Sequence, residues 1–182
     1  MLGAGRASPS LYAADPRMDR LTPRGRQWML TSVPPINDVT TDPHDPPRFI
    51  AVLPLRKGAR TSSDYGGQAV AILQRAAWPD IVPIDTPVRR SQVHAAVRAV
   101  VAGRGWALVG DDEGAGRIEA IATTRWLRFK DDIVVRLRDL PGAGTRVDIR
   151  SKSRVGRSDL GTNARRIRTF VADLQRTLET QR

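Results

Sequence analysis

Residues 132–151 have the sequence DIVVRLRDLPGAGTRVDIRS, the clearest structural pattern in the chain. Folding this stretch about Gly142 brings its apolar residues together on one face and its charged residues together on the other. The opposed pairs are Leu137 with Val147, Val135 with Ile149, and Arg136 with Asp148. Alternation and turn position indicate this register independently. We therefore predict an antiparallel hairpin of strands 132–139 and 145–151.

A second hairpin is predicted just before the first, with strands at 106–110 and 117–126 and a turn at 111–116. Its simplest register opposes Val109 with Ile118 and Ala107 with Ala120. Further upstream, a short helix is predicted over 69–76 and a strand over 81–84.

Two longer segments have the spacing of apolar residues that is typical of amphipathic helices. The first spans 88–103, and its apolar face consists of Val93, Ala96, Val97, Val100 and Val101. The second is a C-terminal helix with Ile167, Phe170, Val171, Leu174 and Leu178 on one face. Together these elements predict an α+β fold, an antiparallel sheet of about four to five strands with helices packed on one face, including the long C-terminal helix.

The first part of the chain differs in composition from the rest. Residues 1–48 are rich in proline and arginine and lack periodicity, which indicates an extended arm. Residues 49–182 are expected to form a single α+β domain.

Composition excludes several classes of function. The chain of 182 residues has no cysteine, which excludes disulfide scaffolds and thiolate metal sites, and its two histidines are too few for a three-histidine site. We expect no cofactor and no metal. Its apolar runs are too short to span a membrane, so the chain as written is expected to be soluble.

The net charge of +11 raises the question of nucleic-acid binding. The basic surface for a duplex would be the outer sheet face, with Arg136, Arg138, Arg146 and Arg150. Aromatic residues make up only 5% of the chain, and Trp106, Trp126 and Phe129 are expected in the core rather than on a stacking surface. Nucleic acid is therefore not the expected partner.

Between the last strand and the last helix lies the segment RSKSRVGRSDLGTNARRI, residues 150–167. It resembles the hallmark of an uncharacterised family, bacterial with plastid relatives, known as domain of unknown function 1499. The similarity also covers Phe129–Ile133 and the arm from Pro35 to Phe49, although Asn37 stands where one branch has histidine. The resemblance implies a shared fold without an agreed activity. Many members have membrane-spanning segments upstream, which implies an envelope setting.

The hallmark allows two interpretations. As a ligand site, its forked guanidinium groups and polar side chains would bind a small anionic or amphiphilic, lipid-like molecule beside the start of the C-terminal helix. The residues of this candidate site are Arg150, Ser151, Ser153, Arg154, Arg157, Ser158, Asn163 and Arg166. In the alternative, Asp131, Asp132 and Asp159 pair with Arg150, Arg154 and Arg166 in a closed structural network that binds nothing. Ser158 or Thr162 is expected to cap the helix.

These observations favour a non-enzymatic domain of the bacterial envelope or cytoplasm that binds such a ligand near its hallmark. A protein-interaction module that docks a partner through the arm is a second interpretation, and an unrecognised hydrolase is a third. Catalysis has little support, because no histidine lies near the hallmark serines in sequence and Asp131 and Asp132 point to opposite faces of a strand. A membrane contact is expected only through an upstream anchor or surface association.

Overall fold

The computed structural model describes residues 33–124 and 128–180. Along the chain these residues form the strands and helices β1 (Asp38–Thr40), a short 3-10 helix (Leu53–Arg56), α1 (Gly67–Ala77), β2 (Ile84–Thr86), α2 (Arg90–Gly103), β3 (Ala107–Asp112), β4 (Arg117–Thr123), β5 (Lys130–Asp139), β6 (Thr145–Ser153) and α3 (Thr162–Thr180). The predicted α+β class is confirmed, with six strands rather than four or five.

The sheet is antiparallel throughout, in the order β1-β6-β5-β4-β3, and β2 pairs with the beginning of β6. The predicted β5–β6 register is confirmed, since Leu137 opposes Val147 and Arg136 opposes Asp148. The predicted β3–β4 register is wrong. Ala107 opposes Ile121 instead of Ala120, because a β-bulge between Leu108 and Gly110 leaves Val109 without a partner.

One face of the sheet packs against α2 and α3 to form the main core. Alternate residues of β4, β5 and β6 contribute to it, among them Ile118, Ile133 and Ile149, each with none of its surface exposed. The apolar face predicted for the C-terminal helix is confirmed: Phe170 and Leu174 are buried, and Trp106 stacks on Phe170 with ring centroids 5.9 Å apart. Burying each such side chain contributes roughly 1.5–3 kcal/mol.

The other face of the sheet is covered by residues 42–62, which we call the strap. Only a small apolar cluster holds it: Phe49 and Val52 contact Ile121 and Val134. Most of the contacts that hold the strap on the sheet are polar. Charged side chains of the sheet are therefore buried beneath it.

Glu119 is the central anchor of the strap. Its carboxylate is buried and accepts hydrogen bonds from the backbone N–H groups of Ile50 at 2.9 Å and of Ala51 and Val52 at 3.0 Å. Gly110 on the neighbouring strand permits this close approach, since a Cβ there would lie 2.6 Å from the Cβ of Ala51.

Residues 1–32 of the predicted arm lie outside the described residues, as does Trp126. Within the remainder of the arm, Asp38–Thr40 forms β1 and pairs with β6. The division of the chain at residue 48 stays a prediction. Phe129, expected in the core, is 46% exposed because it immediately precedes β5 at the edge of the packed region. Within the described residues, no helix is both long and apolar enough to cross a membrane.

Candidate functional site

The alternation of β6 divides the hallmark between the two faces of the sheet. Ser151 and Ser153 point towards α3, whereas Arg150 and Lys152 point to the outer face beneath the strap. The same alternation on β5 sends Asp131 towards α3 and Asp132 to the outer face. The hallmark therefore forms two separate networks.

The inner network attaches α3 to the end of the sheet. Asn163 is its centre: its side-chain oxygen accepts from Ser151 Oγ at 2.7 Å, and its amide nitrogen donates to Ser153 Oγ and to the Asn37 carbonyl, both at 3.0 Å. Arg166 donates to Ser151 Oγ at 3.0 Å and forms an ion pair with Asp131. These polar groups satisfy one another in a buried position, which orients the first turn of α3.

The outer network contains two buried ion clusters. In the first, Arg150 donates two hydrogen bonds, of 2.9 and 2.8 Å, to the two carboxylate oxygens of Asp38, and Lys152 donates to the same carboxylate at 2.8 Å. In the second, Asp132 lies between Arg154 and Arg56. Arg154 contacts one carboxylate oxygen at 2.6 Å.

Both clusters also hold the chain that covers the outer face. Arg150 donates to the carbonyl of Pro47 at 3.1 Å and to that of Ser63 at 2.9 Å, while Arg154 donates to Leu55. The guanidinium groups of Arg150, Arg154 and Arg166 thus all face carboxylates. Of the pairings expected for a structural network, Arg154 with Asp132 and Arg166 with Asp131 occur in the structure, but Arg150 takes Asp38.

Asp159 caps α3, instead of the predicted Ser158 or Thr162. Its carboxylate accepts from the backbone N–H groups of Gly161 at 2.9 Å and Asn163 at 2.6 Å. Burial raises the pKa of this carboxyl above its ordinary value, against the lowering effect of these two N–H groups. Ser158 instead accepts from the Leu160 N–H at 3.3 Å. Arg157 is exposed.

The four arginines considered for nucleic-acid contact have carboxylate partners as well. Arg150 is buried with Asp38, and Arg146 pairs with Asp85 at 2.7 Å. The others, Arg136 and Arg138, both pair with Asp42, Asp45 and Asp148.

A cleft of about 480 Å³ lies beside the outer network, between α1 and the strap. Pro43, Pro46 and Ile72 supply apolar wall, and the polar lining includes His44, Tyr65 and Arg75. We refer to it as the α1 cleft. Its volume falls within the range typical of small-molecule sites, roughly 300–1,000 Å³.

Tyr65 connects the α1 cleft to the hallmark. The guanidinium carbon of Arg150 lies 5.5 Å from the centre of the Tyr65 ring and 4.7 Å from that of Phe49. The Tyr65 hydroxyl is buried and has no hydrogen-bond partner among the described residues. Burial, together with the charge of Asp38, raises the pKa of Tyr65 to about 12, against the opposing effect of Arg150 and Arg75.

Several residues of these sites escaped the sequence analysis. Asp38 binds the hallmark residue Arg150, which is 112 positions away in sequence, and Arg56 binds Asp132, which is 76 positions away. Tyr65 and Arg75 lie in segments without any recognisable motif. Only the similarity of the 35–49 stretch to a family arm pointed towards Asp38. No local pattern could identify the α1 cleft.

The fold and the candidate site together define a small α+β domain. The buried arginines of its hallmark pair with carboxylates of the same chain, and the α1 cleft lies beside them. A family model described as "Protein of unknown function (DUF1499)" matches residues 38–174, and the chain belongs to this family. No curated protein matches the chain.

Proposed function

We propose that this chain is a non-catalytic binding domain that holds a small amphiphilic anion in the α1 cleft, with the hallmark as the rigid support behind it. The observation that carries this proposal is the α1 cleft itself, about 480 Å³ in volume, where the apolar surface of Pro43, Pro46 and Ile72 lies beside the guanidinium group of Arg75.

The charges around the α1 cleft favour an anion. Arg150 and Lys152 share the single carboxylate of Asp38, so the support behind Tyr65 has a surplus positive charge. Arg75 adds a guanidinium group in the cleft itself. An anion placed there compensates positive charge that the protein does not neutralise locally.

The apolar part of the α1 cleft favours an amphiphile over a bare inorganic ion. Pro43, Pro46 and Ile72 present hydrocarbon surface, and Ile72 is 61% exposed. A ligand with an apolar body removes this surface from water at roughly 25 cal/mol per Å².

The hallmark serines support a binding role rather than catalysis. Ser151 is engaged by Asn163 and Arg166, and Ser153 by Asn163. A serine nucleophile needs an adjacent base, and of the two histidines in the chain, His44 contacts Arg75 and His94 lies beside Asp111. The envelope setting belongs to this proposal only through the family resemblance.

Native mass spectrometry of the gently purified full chain tests the proposal. We expect an adduct of a few hundred daltons on the wild-type protein, lost in Arg75→Ala. The matched control is Arg146→Ala, which removes an arginine that pairs with Asp85 outside the cleft. This variant should keep the adduct. A bare wild-type mass, or an adduct that Arg75→Ala leaves unchanged, would contradict the proposal.

A further inference from the structure

We infer that one end of the sheet carries a surface that binds an anionic lipid bilayer. This surface combines exposed apolar and exposed basic side chains of the strap and of the chain at the start of β5, and we call it the end surface. Its apolar members are Leu53, Leu55 and Phe129, and its basic members are Lys57, Arg60 and Lys130. It shares no residue with the lining of the α1 cleft, so the inference does not depend on the proposed function.

Arg154 joins the strap to the start of β5 at this end of the sheet. Its guanidinium group donates to the carbonyl of Leu55, and its backbone N–H donates to the carbonyl of Lys130 at 3.1 Å. Its own carbonyl accepts a hydrogen bond of 2.8 Å from the backbone N–H of Arg60. Phe129 directly precedes Lys130. The end surface is therefore assembled from two segments that are far apart in sequence and meet at one residue.

The apolar side chains of the end surface are large and well exposed. The exposed fraction is 44% for Leu53, 51% for Leu55 and 46% for Phe129. The 3-10 helix of the strap is held on the sheet by the ion pair of Arg56 with Asp132, and no residue of that helix is buried. Single exposed apolar residues are ordinary, whereas several grouped at one place mark an interaction surface.

The charged side chains give the end surface a net positive charge. The sequence contains no acidic residue from position 46 to 63 and none from 120 to 130. The three basic side chains are exposed, and within the described part of the chain none of them forms an ion pair. The two aspartates that follow Lys130 are buried and bind arginines. Asp64, just beyond the strap, offsets at most one of the three positive charges.

An anionic bilayer complements both parts of the end surface. Its head groups attract lysine and arginine side chains, and apolar side chains of a surface-bound protein reach the boundary of the acyl chains. The long stems of lysine and arginine keep their charges at the head-group level while neighbouring apolar groups lie deeper. A nucleic acid would satisfy the basic side chains through its phosphates, but it offers the leucines no apolar surface.

Flotation of the full chain with lipid vesicles tests the inference. The probes are vesicles of phosphatidylcholine alone and vesicles of an equal mixture of phosphatidylcholine and phosphatidylglycerol. We expect binding to the mixed vesicles that weakens as salt is added, because salt screens exposed charges. Lys57→Gln should weaken this binding by about fivefold, the usual contribution of one basic residue near an anionic surface. Phe129→Ser should weaken it by about tenfold, because its ring no longer leaves water.

Two matched controls change exposed side chains towards the other end of the sheet. Arg89 precedes α2 and Val82 precedes β2, and both elements lie near Thr145, at the opposite end of β6 from Arg154. Arg89→Gln and Val82→Ser should leave vesicle binding unchanged. All four variants should keep the wild-type melting temperature, since each changed side chain is exposed.

The α1 cleft is a second place where a lipid could bind, and Arg75→Ala separates the two sites. This variant should leave vesicle binding unchanged, and a loss of binding equal to that of Phe129→Ser would overturn the assignment to the end surface. Equal binding to both kinds of vesicle, or no binding to either, also overturns the inference. Binding of duplex DNA without binding of vesicles overturns it too and assigns the basic side chains to a nucleic acid.

Discussion

Substitutions in the buried cluster of Asp38, Arg150 and Lys152 should change the free energy of unfolding by amounts that depend on the net charge left in the cluster. All three residues are at most 5% exposed, and two cations face one carboxylate. Asp132 lies opposite Lys152 on β5, but Arg154 and Arg56 already bind it. The cluster therefore has one positive charge in excess.

Asp38→Asn leaves Arg150 and Lys152 buried without their common partner. Removing one member of a buried ion pair costs about 3–5 kcal/mol. For a domain of this size, at about 2–4 °C per kcal/mol, the melting temperature should fall by about 6–20 °C. Lys152→Met instead removes the excess charge and keeps the Arg150–Asp38 bridge, so we expect a change within about 1 kcal/mol.

The double variant Asp38→Asn/Lys152→Met tests whether the excess positive charge causes the loss of stability. Adding Lys152→Met to Asp38→Asn removes one of two unneutralised cations, so it should restore about 1–3 kcal/mol relative to Asp38→Asn alone. Calorimetry or urea unfolding of the four proteins measures this difference. Asp80→Asn is the control: its ion pair with Arg168 is partly exposed, and its loss should cost about 0–1 kcal/mol. A double variant less stable than Asp38→Asn would refute the charge argument.

Three further predictions concern the strap. Glu119→Gln replaces one acceptor oxygen with an amide donor that faces backbone N–H groups. It should lower the free energy of unfolding by about 1.5–3 kcal/mol and speed amide hydrogen exchange at Ile50–Val52. Unchanged exchange at these residues would contradict the anchor role of Glu119. Gly110→Ala should push Ala51 away and so lower the melting temperature by loosening the same segment. A melting temperature equal to that of the wild type would contradict this prediction, because it would show that the strap moves without any loss of stability. At Asp42, burial alone would raise the pKa, but the N–H groups of Asp45 and His44 and the Arg138 guanidinium lower it below its ordinary value. Its stabilisation is therefore present above the ordinary aspartate pKa and is lost as pH falls through the lowered one. Asp42→Asn should have a lower melting temperature than the wild type at neutral pH, and its melting temperature should depend less on pH in the acid range. Curves of melting temperature against pH that run parallel for the two proteins would contradict this prediction.

The two hairpins show what limits a register prediction. In β5–β6 the alternation runs without interruption to the turn, so pairing could be counted from Gly142. In β3–β4 the bulge at Val109 adds one residue to one strand, and counting from the turn then fails. The bulge adjoins Gly110, whose contact with Ala51 belongs to the strap, a segment far away in sequence.

The candidate site shows the same limit. Ser151, Asn163 and Arg166 were identified from one continuous segment, and they do meet, because a strand end and the first turn of the next helix are neighbours in space as well as in sequence. The cap of α3 was misassigned within that segment, since three polar residues there compete for the role and only packing selects Asp159.

Sequence patterns alone were enough to predict the α+β class, the β5–β6 hairpin, the amphipathic helices α2 and α3, and membership of the family. These features depend on periodicity and on short motifs, which act between neighbours along the chain. The carboxylate partner of each arginine and the position of the α1 cleft, in contrast, became visible only in the folded molecule. Those outcomes depend on desolvation and contact between segments that meet only when β1 and the strap pack against the sheet.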